Sequence, residues 1–366
     1  MKKSHILSHT LAKKLEISTL KAIKNKERPF VLFFLYLLSL FFRFALFSRN
    51  LAYCLKIKKG KKLPTKVVSI GNITAGGTGK TPFAILLLSL ISDKQKCALL
   101  SSGYRKISKK DGIINLDSSD AKDMGDEPFL IASTFPNVDV YSIKDRKPFL
   151  SNFSAGMCDV LLLDDGMQKR DIQRDLEIVC MRGSDLFGHG YFIPRGLLRD
   201  NPKRLKSAHL ICVNEITDEA HFMKLCKKIK KYSSSPVVGA EMVILSATTL
   251  KGDSVVIEPG LKVGVFCATA NPDSFINSIK KKNITCVGLL TGADHSKFDD
   301  NQLRDFATEC QKRGVHALVC TQKDSVKLSP KLEIDLPIYV LNGQLKVTYG
   351  IRHFEHFINQ ISGWKS

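Results

Sequence analysis

Residues 69–83 read SIGNITAGGTGKTPF. They close a short β-rich run, KVVSIG at 66–71, and open an apolar helical stretch, TPFAILLLSLISDK at 81–94. Strand, glycine-rich turn and helix together are the setting of a phosphate-binding loop. Backbone N–H groups in such a turn face inward, and the helix N-terminus adds partial positive charge. Gly76, Gly77 and Gly79 permit the backbone angles and the close approach. Lys80 is placed to reach β- and γ-phosphates, and Thr81 to bind Mg²⁺. Pro82 fits early in the helix, where its missing N–H would be unpaired anyway. One position departs from G-x-x-x-x-G-K-[ST]: Thr74 stands where a glycine usually opens the turn. The expected nucleotide loop is Thr74, Ala75, Gly76, Gly77, Thr78, Gly79, Lys80 and Thr81. A plain glycine turn is the competing reading.

Outward from the loop, strand-like and helix-like segments alternate. Strands are expected at 97–103, 159–166, 175–181 and 209–215. Repeated β-α alternation predicts a parallel sheet with helices on both faces. Residues 237–253 alternate without helical period and read as an extended linker. A second series follows: strands at 262–270, 284–290, 316–322 and 338–342, with helices at 272–282 and 301–312. The predicted class is α/β, with mostly parallel sheets and a P-loop NTPase-like first domain. The expected organisation is an N-terminal segment 1–62, a first domain 63–235, an extended β linker 236–256, and a smaller C-terminal α/β domain 257–366.

The 366-residue chain carries 56 Lys and Arg against 35 Asp and Glu, a formal charge of +21. Such an excess points to an anionic partner: nucleic acid, an acidic membrane surface or a phosphorylated substrate. Paired lysines on solvated faces are the plainer explanation. A nucleic-acid binder would interleave basic and aromatic residues on a defined module, and the sequence has no such module. The 10 cysteines are scattered without a C-x-x-C pair. They read as buried, reduced thiols, with no zinc site and no disulfide scaffold.

Residues 29–47 read PFVLFFLYLLSLFFRFALF, uncharged up to Arg43. A helix over residues 30–47 is roughly 27 Å long, close to bilayer thickness. Its aromatics favour a membrane over a buried core. Basic residues flank both ends, so a helix lying in the cytoplasmic leaflet is expected rather than an oriented span.

Three further motifs carry candidate chemistry. DVLLLDDG, residues 159–166, sets Asp164 and Asp165 at the carboxyl end of a strand, where ligands bind in open parallel sheets. Carboxylates there suit Mg²⁺, directly or through water. GDEPF, residues 125–129, reads as a helix start, with Asp126 or Glu127 as cap and Pro128 in the first turn. A carboxylate in that position can also face a phosphate site. ADHSKF, residues 293–298, is by its local spacing only a solvated Asp-His pair.

Taken in order, GNITAGGTGKTP, SSGYRK, GDEP, LLLDDGMQ, RDLEIV, FGHGYFIPRGLLRD, ATANPDSF, ADH and TQKDSVKL resemble the series seen in the tetraacyldisaccharide 4′-kinase family. These are the lipid A 4′-kinases of Gram-negative bacteria. The likeness runs from about Ser69 to Leu328. It implies transfer of the ATP γ-phosphate to the 4′-hydroxyl of a tetraacylated glucosamine disaccharide 1-phosphate, at the cytoplasmic face of the inner membrane. It implies two α/β/α domains joined by a β hinge, ATP and Mg²⁺ as cofactors, and an anionic membrane surface as partner. No nucleic acid and no obligate protein partner are implied. By matching positions, Lys80 and Thr81 hold phosphate and Mg²⁺. Glu127, Asp164, Asp165 and Gln168 match the metal-site group. Asp126 matches the base, supported by His295, and Arg199 an arginine near the transferred phosphate. Met167-Gln168-Lys169 replaces the usual Phe-Gln-His. A membrane-attached P-loop ATPase or GTPase switch is the alternative. The early loop lysine of some such switches is Ala75 here, and Thr321-Gln-Lys-Asp only loosely echoes a guanine-reading motif.

Overall fold

The computed structural model describes residues 29–55, 57, 59–102, 111–116, 124–269, 272–292, 298–329 and 332–363. Helix α1 (Pro29–Cys54) precedes strand β1 (Lys66–Gly71), helix α2 (Lys80–Ile91) and strand β2 (Cys97–Ser101). Next come β3 (Gly112–Ile113), α3 (Asp126–Thr134), β4 (Asp139–Ser142), α4 (Arg146–Asn152) and β5 (Val160–Asp164). Then follow β6 (Leu176–Arg182), β7 (Leu210–Asn214), α5 (Glu219–Ile229) and the long strand β8 (Val237–Thr249). β1, β2 and β7 are buried along their whole length. Continuous apolar burial marks a parallel sheet covered on both faces. β1 pairs in parallel with β5 and β6, β2 with β5 and β4, and β7 with β6 and β8.

The second series is β9 (Ser254–Val255), β10 (Lys262–Cys267), α6 (Pro272–Lys280), β11 (Thr285–Thr291) and α7 (Asp300–Lys312). It ends with β12 (Ala317–Thr321), the short helix α8 (Gln322–Ser325), β13 (Ile338–Tyr349) and α9 (Ile351–Ser362). β10 pairs in parallel with β11 and β12, and β12 with β13. The two parallel blocks meet where β13 runs antiparallel to β8, from Tyr339↔Thr249 to Tyr349↔Gly239. Among the described residues, one continuous 13-stranded sheet results, in the order β11-β10-β12-β13-β8-β7-β6-β1-β5-β2-β4-β3, with β9 beside β8.

This join decides where the blocks face. β8 begins beside Ile211 of β7 and runs on past the carboxyl end of that strand. β13 begins beside β12 and likewise runs on past its carboxyl end. The carboxyl edges of both blocks therefore point towards each other. Residues 237–253, read from sequence as a linker, are largely a strand of the sheet. The last helix, α9, returns to the first block. Its Phe354, Phe357 and Ile361 pack with Phe83, Leu87 and Ile91 of α2 in one core, and the Phe354 and Phe83 rings meet edge-on at 6.0 Å.

α1 is 26 residues long, or roughly 39 Å at the rise of an α-helix. By length and composition it can cross a membrane, and only 6% of its most apolar window is buried. Phe30, Phe41 and Phe44 are 84%, 74% and 69% exposed. It is thus no core helix. The described cysteines are free thiols, most of them buried. Burial pushes Cys97 and Cys180 up to about 12, which keeps them neutral and unreactive.

Candidate functional site

The loop 72–79 leaves β1 at the carboxyl edge and enters α2 through Gly79, at φ 82°. A Cβ on Gly79 would fall 2.2 Å from Asn214 Nδ2. Only glycine fits both constraints. Asn214, at the end of β7, donates to the Thr78 carbonyl at 2.6 Å. Asn72 Nδ2 donates to Thr78 Oγ1 at 2.8 Å. Arg182 Nη2 donates to the Gly77 carbonyl at 2.7 Å. The loop is thus tied from inside before any ligand arrives. Thr74, at the unusual opening position, is buried and its backbone bridges Leu198. Gly76, at φ 97°, supplies the left-handed residue that follows.

Asp164 ends β5, and Asp165 has φ 53°. That left-handed turn sends the two carboxylates to different partners. Asp164 Oδ2 accepts from Ser101 Oγ at 3.0 Å. Asp165 lies 3.4 Å from Lys80 Nζ and also takes both Nη groups of Arg199, Nη1 at 3.0 Å. Burial pushes the Asp164 carboxyl up to about 6, and the neighbouring Glu127 adds to the shift. Burial also opposes ionisation of Asp165, but Lys80 and Arg199 outweigh it and hold that carboxyl at about 2.

α3 opens the third wall. Its cap is Gly125, at φ 97°, rather than Asp126 or Glu127. Both carboxylates sit instead in the first turn, where the helix dipole favours negative charge. Glu127 Oε2 accepts from Thr81 Oγ1 at 2.8 Å. Glu127 Oε1 lies 3.8 Å from Lys323 Nζ, on α8 of the second block.

Lys323 was not singled out from sequence. The only signal was its place inside TQKDSVKL. Its position is enforced by Asp324, 1% exposed. That carboxylate accepts from Thr321 Oγ1 at 2.7 Å and from the Ala268 N–H at 3.3 Å, which joins the carboxyl ends of β12 and β10. Asn214 and Arg182 were likewise missed, because nothing local marks a strand end as a loop support. His295 lies outside the described residues. Gln168 reaches the site through its amide, which donates to the Asn72 carbonyl at 2.8 Å. Met167 is fully buried beside Gly71, so its exchange for the usual Phe is one apolar core residue for another.

Among the described residues, no three His, Cys, Asp or Glu side chains converge on one cation position. Mg²⁺ needs no such cage, since it usually keeps several waters and takes one or two carboxylates plus phosphate oxygens. The donors present are hard oxygens: Thr81 Oγ1, Glu127, Asp164 and Gln168 Oε1. The last is buried without a hydrogen-bond partner. The set fits that ion.

The family model for Tetraacyldisaccharide-1-P 4′-kinase matches residues 31–362. The chain belongs to this family. A relative called tetraacyldisaccharide 4′-kinase, from Chlamydia trachomatis serovar D, is 36% identical over 289 residues, 77% of each chain. One of the same name from Syntrophus aciditrophicus is 31% identical over 355 residues, 91% of this chain and 94% of that one. The fold is similar to LpxK from Aquifex aeolicus, solved as an "apo" form in complex with ATP, with a TM-score of 0.66 at 24% identity. That likeness covers 88% of this chain and 97% of the other. The family match supports a kinase over a nucleotide switch. The family and the exposed apolar α1 together support membrane association.

Proposed function

We propose that this chain transfers the γ-phosphoryl group of ATP to the 4′-hydroxyl of a tetraacylated glucosamine disaccharide 1-phosphate, the lipid A precursor. The observation that carries this reading is family membership across residues 31–362. Within that span the phosphate loop, the Asp164-Asp165 pair and the Asp126-Glu127 pair share one carboxyl edge of the sheet.

The backbone amides of residues 76–79 and the N-terminus of α2 cradle the phosphates. Lys80 exchanges Asp165 for phosphate oxygens. Arg199 stays close enough to follow the transferred group. Thr81, Glu127, Asp164 and Gln168 would hold Mg²⁺, which would supply charge neutralisation on the phosphates; Asp165, expected with them, is engaged by Lys80 and Arg199. Asp126 accepts the 4′-hydroxyl proton as the new P–O bond forms and the bond to ADP breaks. His295 supports that carboxylate. Two α/β/α units, read from sequence as 63–235 and 257–366 but with α9 of the second packed on the first, hinge about the extended segment 236–256. Their closure shuts water out of the site and limits idle ATP hydrolysis. α1 lies in the cytoplasmic leaflet of the bacterial inner membrane, where the basic surface meets anionic lipid.

The test is transfer of label from [γ-³²P]ATP to a lipid A disaccharide 1-phosphate, with Lys80→Ala as control. Label should reach the lipid with the natural protein only. ATP turnover without labelled lipid would remove the acceptor from the proposal, and undiminished transfer by Lys80→Ala would remove the loop assignment.

A further inference from the structure

Between α1 and the phosphate loop lies the segment 187–200, FGHGYFIPRGLLRD. It touches both. On its outer side, the Tyr191 ring meets Tyr36 of α1 edge-on at 6.2 Å, and Phe192 lies 6.5 Å from Phe42. The Arg195 guanidinium stacks 3.8 Å above Tyr191 and 5.1 Å from Tyr36. On its inner side, the Leu197 carbonyl accepts the Ala75 N–H at 2.7 Å, and the Arg199 and Asp200 N–H groups both donate to the Ile73 carbonyl, at 2.9 and 3.2 Å. The segment is therefore the outer wall of the nucleotide loop and the seat of the apolar helix.

Its last two residues divide the work. Arg199 points to Asp165 in the site. Asp200 points away, and its carboxylate is completely buried. Oδ1 accepts the Asn201 N–H at 2.9 Å, while Oδ2 faces Arg49 Nη2 of α1 at 3.5 Å. A buried carboxylate is costly without a compensating cation. Two cations answer it: the partly buried Arg170 guanidinium, whose charge also acts on Asp200, and Arg49, which arrives on the apolar helix near its C-terminal end.

We propose that Arg49 is a positioning residue for phosphoryl transfer. By neutralising Asp200 it holds the Arg199-Asp200 backbone on Ile73, and so sets the Arg199 guanidinium and the opening of the phosphate loop. The helix that meets the membrane thereby reaches the catalytic side of the loop through one ion pair. Without Arg49, the Asp200 carboxylate turns towards water and takes the Arg199 backbone with it. This inference rests on the kinase reading and adds a role that the helix plays besides attachment.

The test uses the full-length protein in mixed micelles with the lipid disaccharide 1-phosphate, reading kcat, KM for lipid and co-sedimentation with anionic vesicles. Arg49→Gln should lower kcat about tenfold, because it leaves the buried Asp200 carboxylate with Arg170 alone as its cation, while KM and vesicle binding stay within about twofold. Arg49→Lys should keep most of the rate. Arg49→Gln combined with Asp200→Asn removes both charges and should recover at least about threefold of the loss, since the buried carboxylate is gone. A merely structural arginine would show no such recovery. An Arg49→Gln protein with natural kcat, a defect confined to KM or vesicle binding, or a double variant no better than Arg49→Gln would each overturn the proposal. Absence of lipid transfer by the natural protein would instead sink the kinase reading itself.

Discussion

Lys323, on the short helix after β12, lies 3.8 Å from Glu127 at the start of α3. The two residues are 196 positions apart, and they belong to opposite blocks of the sheet. The antiparallel β8–β13 join turns the two carboxyl edges towards each other, and this pair bridges them. Glu127 also holds Thr81 at 2.8 Å. Among the described residues, Lys323 is thus a contact by which the second block reaches the proposed metal side of the site.

Replacing Lys323 by Met should lower kcat by about an order of magnitude while changing KM for ATP less, since its charge counts most once the blocks have closed. Arginine at the same position should restore part of the rate. Steady-state kinetics on the three proteins decide it. Equal kcat in all three would leave the pair as a surface contact.

Asp126 stands in the first turn of α3 next to Glu127. As the proposed base, it would act on the acceptor hydroxyl and not on nucleotide. Asp126→Asn should therefore cut turnover by about 10²-fold or more while nucleotide affinity moves little. Titration with a fluorescent ATP analogue beside the transfer assay separates the two. Weakened ATP binding with near-normal kcat would reduce Asp126 to a helix-start carboxylate.

Asp164 and Asp165 give opposite pH signatures in protein held free of metal and nucleotide by EDTA. Asp164 is raised from 3.8 to about 6. Its folded form binds a proton more tightly than the unfolded chain, so its contribution is full below about pH 4 and is lost as pH rises through 6. Asp165 is lowered from 3.8 to about 2. Its contribution is present above about pH 4 and is lost as pH falls through 2. Asp164→Asn should raise the melting temperature at pH 7.5 by about 2–4 °C or more, and this gain should vanish at pH 4. Thermal scans at both pH values measure it; a gain that persisted at pH 4 would mean that charge burial is not its source.

Deleting residues 1–54 removes α1 with its outward-facing phenylalanines. The shortened protein should leave the membrane fraction, and vesicle flotation should show it in the unbound fractions. Continued binding would place a second attachment surface on the body. The same deletion takes away Arg49, so loss of membrane binding and loss of turnover should come together in it and apart in Arg49→Gln.

Much of this protein was legible in its sequence because the signals are local. A strand, three glycines, Lys80 and Thr81 in one short stretch mark a phosphate loop, since the backbone that cradles phosphate is contiguous. The uncharged run from Phe30 to Phe42 marks an apolar helix on composition alone, although it ends at Cys54, beyond the expected Phe47, in a last stretch where Arg49 meets Asp200 and Arg170 lies over the Tyr53 ring. The extended character of 237–253 was legible in the same way, but alternation does not name a neighbour, and the pairing of β8 with β7 and β13 came from the fold.

What only the tertiary structure decided lies in pairings across long stretches of chain. The β8–β13 ladder, the return of α9 to the first core, Lys80 and Arg199 sharing Asp165, and Lys323 meeting Glu127 have no local pattern. Each partner is an ordinary residue in its own surroundings. Its meaning comes from strand register and from burial, which bring charges together where water no longer screens them. The sequence therefore determined which chemistry the chain carries, and the packing of the sheet determined which side chains stand close enough to perform it.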